Sequence, residues 1–232
     1  MVPLSRRHRH GEVGLLAKQV ESRHAIYCKK KGPDCLGKGG REMFHPLVFD
    51  NIRVVLEGAV YDRDFEGAIT ITSRSDVMDM ATFHRLFQIE FKLANQHDHA
   101  VAVRAEMQLR TQLADIAAEQ LEQPLTEHIG CTICIHFYLQ MENYRDVPAE
   151  AREITSILND IWGQRPYITQ KVSATLAEQR IDWPPKQITN QVTLDFHRKI
   201  DEGNIDDLNE LIDHTVQSLQ KLQLHMDQQA KR

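Results

Sequence analysis

His97-Asp98-His99 is the densest set of metal-binding donors in the chain. On an extended backbone alternate side chains share a face, so the two imidazoles would project together, a pairing suited to zinc or iron. His84, His128 and His136 are the imidazoles that would complete such a site, with Asp62 or Asp64 supplying a carboxylate. That constellation defines a metal-dependent hydrolase. Against it, the triplet reads as the polar tip of a hairpin, where such residues are ordinarily solvated, and no carboxylate is fixed beside it by spacing. His136, flanked by apolar residues, reads as a core histidine satisfied by a backbone carbonyl. No cofactor is expected, a divalent metal at these residues being the one exception.

Asp62-x-Asp64-x-Glu66-Gly67 matches the first half of a calcium loop, but the twelfth position, where a bidentate carboxylate is needed, is Ser73. Cys131 and Cys134 form a C-x-x-C, yet on a strand positions three apart point to opposite faces, so the pair reads as structural thiols rather than redox or zinc ligands. Cys28, Cys35 and His24 lack the short ligand spacing and the second ligand pair of a zinc module. The P-loop, dinucleotide-binding, serine-hydrolase elbow and H-E-x-x-H signatures are all missing.

The elements that would position these residues are organised around Ile129–Met141, a β-branched and aromatic run with Gly130 at its entry and apolar residues on both faces. It predicts a central strand covered on both sides. Ile52, Val54, Leu56 and Val60 alternate with polar residues, and with the short β-run 68–72 they predict a first hairpin; residues 73–83 read as a connection or a helical turn. Phe87 to Leu93 and Val101 to Met107 predict a second hairpin, with a helix taking over from Leu109. Asp146-Val147-Pro148 opens a helix that Gly163 closes. Residues 166–179 suit either helix or strand, and residues 192–196 a half-exposed strand. Asn204 reads as the N-cap of the last helix.

The fold class that follows is α+β, a mainly antiparallel sheet built from hairpins with helices on one face and a long C-terminal helix. Three segments are expected: a basic leader 1–42, an α+β domain 43–203 and an amphipathic helix 204–232. The leader holds ten Lys/Arg against four Asp/Glu, a balance of +6, whereas the rest holds 18 against 29, a balance of −11. An acidic body argues against nucleic-acid binding, which draws its affinity from neutralising phosphates. The leader's composition predicts disorder. Lys38-Gly39-Gly40 can be encoded AAA-GGA-GGN, which contains the bacterial ribosome-binding sequence AAGGAGG about seven nucleotides before the Met43 codon, so translation is expected to start at Met43. No apolar run is long enough to span a membrane and no signal-peptide core follows the basic start, which predicts a bacterial cytoplasmic protein.

Leu208, Ile212, Leu219, Leu222 and Met226 step by three and four, with Thr215 among them, the spacing of a coiled-coil seam, and predict a homodimer through the last helix. With no catalytic signature, the expected function is a non-enzymatic binding or scaffold module that self-associates; the metal-dependent hydrolase at His97-Asp98-His99 is the rival.

Overall fold

The computed structural model describes residues 47–94, 103–121, 129–141, 147–175, 185 and 188–230. All of them fall within one compact unit, Phe44–Arg232. The leader 1–42, its cysteines, His97-Asp98-His99 and His128 lie outside the described residues.

The first element, α1 (Leu47–Phe65), is a helix, not the strand expected there. Phe49, Ile52, Leu56, Ala59 and Val60 are buried, a stripe of three-, four-, three- and one-residue steps that only a 3.6-residue period places on one face. Ile52 and Leu56 fit both periods; Phe49 decides it. Gly67, at φ +73°, ends the element in the left-handed region that favours glycine.

Strand β1 (Ile69–Asp79) runs through most of the expected connection and pairs antiparallel with β2 (His84–Leu93), with a bulge between Ile71 and Ser73. The β2–β3 hairpin forms as expected, Phe91 opposite Ala105 and Phe87 opposite Leu109. Strand β3 (Arg104–Thr111) continues past Leu109, and α2 (Leu113–Gln120) begins only after Gln112. Strand β4 (Thr132–Met141), helix α3 (Val147–Trp162), strands β5 (Tyr167–Ser173) and β6 (Ile188–Asp195) and helix α4 (Asp207–Ala230) complete the chain. The ambiguous stretch 166–179 is therefore strand through Ser173, and Gly163 (φ +60°) stops α3 as expected. Asn204 does not cap α4. It sits in a 3₁₀ turn, Glu202–Asn204, where its side chain accepts a hydrogen bond from the Asp201 amide.

The sheet is antiparallel throughout, in the order β1-β2-β3-β4-β6-β5. β4 lies inside it as expected, but among the described residues helices cover only one of its faces. Ile133, Ile135, Phe137, Leu139 and Met141 are buried under the helices, while Cys134, His136 and Tyr138 are half-buried on the opposite face. Among the described residues long polar side chains shade that face: Glu106 and Gln108 on β3 stand opposite His136 and Cys134.

Helix α4 joins the same core. Leu208, Ile212, Thr215, Leu219, Leu222 and Met226 are all buried within the chain, together with Phe49 and Leu56 of α1 and Leu158 of α3. The five side chains expected to form a dimer seam are thus spent on intramolecular packing. No helix among the described residues is long and apolar enough to cross a membrane.

Candidate functional site

Of the residues expected to carry chemistry, Asp62 and Asp64 lie on α1 and His136 on β4, while His97, Asp98 and His99 are outside the described residues. Asp62 and Asp64 belong to the last turn of α1, where the Glu66 and Gly67 amides donate to the Asp62 and Asp64 carbonyls at 2.9 and 3.0 Å. This backbone closes a helix end instead of wrapping an ion. His136 stands on the open sheet face with Nδ1 2.9 Å from Thr193 Oγ1, a hydroxyl partner where a backbone carbonyl was expected. Burial, outweighing the pull of Glu106, lowers its pKa and favours the neutral imidazole. Beside it Tyr138 donates to Glu106 Oε1 at 3.5 Å, and burial followed by the Glu106 charge pushes its phenol up to about 12. Glu106 also accepts from Gln88 at 3.3 Å and Gln108 at 2.5 Å, and Glu90 is paired with Arg104 at 3.2 Å. Among the described residues the open face is thus a network of partnered side chains, in which the Thr193 hydroxyl stands beside the His136 imidazole.

Of the two thiols, Cys131 is buried and Cys134 half-buried. Burial, reinforced by Asp115 and Glu119, pushes Cys131 up to about 12. Burial also raises Cys134. Both shifts disfavour the thiolate, the nucleophilic form. Asp115, which the sequence did not single out, ties this region together. It accepts from Lys199 Nζ at 2.7 Å and from the Gly130 amide at 3.2 Å, joining α2, the entry of β4 and the chain after β6.

The two edges of the sheet differ. β1 is bulged, and Arg74 and Asp76 on it are engaged by Glu57 and by Arg53 and Arg85; bulges and charges are what blunt an edge. β5 hydrogen-bonds to β6 alone in the described sheet. It carries no proline, no bulge and a single charge, Lys171. Tyr167, Thr169 and Lys171 are exposed on the open face. Ile168, Gln170 and Val172 are on the helical side, because they pair with Leu194, Val192 and Asn190. There a cleft of about 520 Å³ separates β5 from α3, walled by Ala151, Thr155 and Asn159 on the helix and by Ile168 and Gln170 on the strand.

The cleft has a fixed base. Gln170 Nε2 donates to the Ala151 carbonyl at 2.7 Å and to Thr155 Oγ1 at 2.8 Å. Its Oε1 accepts from Asn190 Nδ2 at 2.7 Å. This string crosses from β6 through β5 to α3, so spacing between strand and helix is set before anything enters. Nothing in the sequence pointed to it beyond the polar residues at inward strand positions, Gln170 and Asn190.

A second cleft of about 510 Å³ opens between the C-terminal end of α3 and the start of α4. Its aromatic wall is already committed: Trp162 donates from Nε1 to Ser218 Oγ at 3.0 Å and packs edge-on to Phe196 at 5.5 Å. Arg198 at its rim approaches Asp207 to 4.0 Å.

Among the described residues, the His, Cys, Asp and Glu donors that converge are none of the expected ones. They are Glu150, Glu153 and His225, on α3 and α4.

Fold and site together define an α+β protein with a six-stranded antiparallel sheet in which, among the described residues, β1 is a blunted edge and β5 pairs on one side only. Comparison with protein-family models, with curated proteins and with solved structures found no match.

Proposed function

We propose that the protein is a non-enzymatic binding module that captures an extended polypeptide segment as an added strand on β5. The observation that carries this reading is the open β5 edge bordering a preformed cleft against α3. An edge strand offers unpaired backbone donors and acceptors, which supply affinity, while pockets for alternate side chains supply selectivity. The walls named above are uncharged, with Arg152 and Asp160 further along the lining. The segment that fits is therefore one with small uncharged or aliphatic residues at alternate positions. This keeps the binding role expected from the sequence and moves the partner surface from the α4 seam to β5. The hydrolase reading gains no converging ligand set from His136, Asp62 and Asp64 among the described residues.

A peptide array probed with the full chain identifies sequences, and fluorescence anisotropy on the tightest of them measures affinity. Asn159→Trp, which fills the cleft from a partly exposed helix position, is expected to weaken binding by about tenfold or more, roughly 1.4 kcal/mol, at unchanged circular dichroism. Hydrogen exchange at β5 amides is expected to slow on binding. Equal affinity in the variant, or β5 amides that do not respond, overturns the proposal. Light scattering that shows a dimer dissolved by Asn159→Trp also overturns it, assigning the edge to a second copy of the chain.

A further inference from the structure

We propose that Glu150, Glu153 and His225 form a zinc site that joins α3 to α4. The inference stands apart from the strand-addition reading and uses different residues. Positions three apart on a helix share a face, so Glu150 and Glu153 present two carboxylates side by side from the first half of α3. His225, near the end of α4, meets them from across the helix pair. Its Nε2 lies 2.6 Å from Glu150 Oε1 and 3.8 Å from Glu153 Oε2. One donor atom from each residue lies within 4.8 Å of the other two.

Zinc takes imidazole nitrogen and carboxylate oxygen at about 2.0–2.2 Å, which places neighbouring donors a little over 3 Å apart. The 2.6 and 3.8 Å separations bracket that spacing, and Glu153, with 59% of its side chain exposed, has room to turn toward it. Two carboxylate oxygens and an imidazole nitrogen match a doubly charged cation. The donors differ in exposure in the way a three-ligand site requires. His225 and Glu150 keep only 11% and 19% of their side chains exposed and anchor the ion, while Glu153 leaves a solvent-facing position for entry and for a water as fourth ligand. A hydrogen bond to Glu150 alone would satisfy one nitrogen of His225; the approach of Glu153 adds a carboxylate that this bond does not need. The mixed nitrogen and oxygen set favours zinc over magnesium, which prefers oxygen donors and keeps its waters. An ion here links the beginning of α3 to the end of α4, far along both helices from their Trp162–Ser218 hydrogen bond.

The experiment is zinc titration of the chelator-stripped full chain by calorimetry and by thermal melting. One zinc per chain is expected, with Tm rising by roughly 5–10 °C when free zinc exceeds Kd about a hundredfold, and no comparable rise with magnesium. Glu153→Gln, at an exposed position, is expected to melt like the parent without zinc yet bind zinc at least ~10-fold more weakly; His225→Ala is expected to abolish binding. Absence of zinc binding, an equal effect of magnesium, or parental zinc affinity in Glu153→Gln overturns the proposal.

Discussion

Cys131 and Cys134 share a short sequence motif and part company in the fold. Cys131 sits at the bridge to Ile200, where backbone hydrogen bonds of 2.8 Å run both ways, and its thiol is buried. Cys134 is half-buried on the open face. Native alkylation with iodoacetamide should therefore label Cys134 slowly and Cys131 only after unfolding, since access and thiolate fraction both limit the reaction. Mass spectrometry of the digested protein reads the order, and rapid native labelling of Cys131 would contradict its burial. Gly130, one residue before, has φ +146°, and a Cβ there would meet the Ile200 carbonyl oxygen at 2.5 Å. Since that neighbour is backbone held in the same bridge, it has no rotamer in which to retreat. Gly130→Ala is expected to destabilise the protein by about 2–4 kcal/mol, from strain and overpacking together. Urea denaturation measures it, and a change under about 0.5 kcal/mol, the range of ordinary surface substitutions, would mean that the bridge yields.

Between elements, the contact most exposed to pH is the clasp of α1 on the β1–β2 hairpin. Arg85 reaches Asp50 of α1 at 2.9 Å and Asp76 of β1 at 2.9 Å, while Arg53 of α1 approaches Asp76 at 3.5 Å. Burial alone would raise the Asp76 pKa. The hydrogen bond from Arg85 and the charges of Arg85, Arg53 and Arg74 outweigh it and hold the carboxyl below its ordinary value. A carboxyl depressed in the folded state contributes stability that is present above its unfolded pKa, near 3.9, and is lost as pH falls through the folded value. Asp76→Asn is therefore expected to lower stability at pH 7 and to flatten its loss below about pH 4. Chemical denaturation across pH 2–7 provides the comparison; parallel curves for the two proteins would remove Asp76 from the clasp. The same pairs explain why β1 is a blunted edge, because the charges that fasten α1 occupy it.

At the scale of the whole molecule, α4 decides how much of the chain can fold as one body. Its seam faces the sheet, α1 and α3, and Leu219 within it is fully buried. Leu219→Ala is expected to cost about 2–5 kcal/mol, the range for a leucine truncated in a packed core, and to leave the molar mass by light scattering unchanged at equal protein concentration. A variant that instead changes its oligomeric state while keeping its stability would restore the seam to an interface between chains. A step of three and four residues cannot distinguish the two arrangements, because the side of a sheet and the side of another helix present the same apolar surface to it.

What the sequence determined by itself is what depends on local chemistry and on period. The alternation of Phe87, Ile89 and Phe91, the helix opened at Pro148 and stopped by Gly163, a strand within 129–141 and the amphipathic last helix were all legible, and with them the α+β class and its antiparallel sheet. Each rests on hydrogen bonds and side-chain directions repeated within one element. The errors arose where two periods coincide or a boundary is soft: Ile52 and Leu56 fit strand and helix alike, and Leu109 serves either as the end of β3 or as the start of a helix. Tertiary structure alone decided which side of each element is covered and which residues from distant elements meet. β4 has apolar groups on both faces, yet the described helices pack on only one. His225 meets Glu150 across 75 positions of sequence, and Gln170 joins Asn190 to Ala151 at the base of the cleft. Such contacts carry no spacing signal. They arise because a single core must bury the apolar stripes of α1, α3 and α4 on one face of the sheet, and in the described sheet that packing places β5 at the edge.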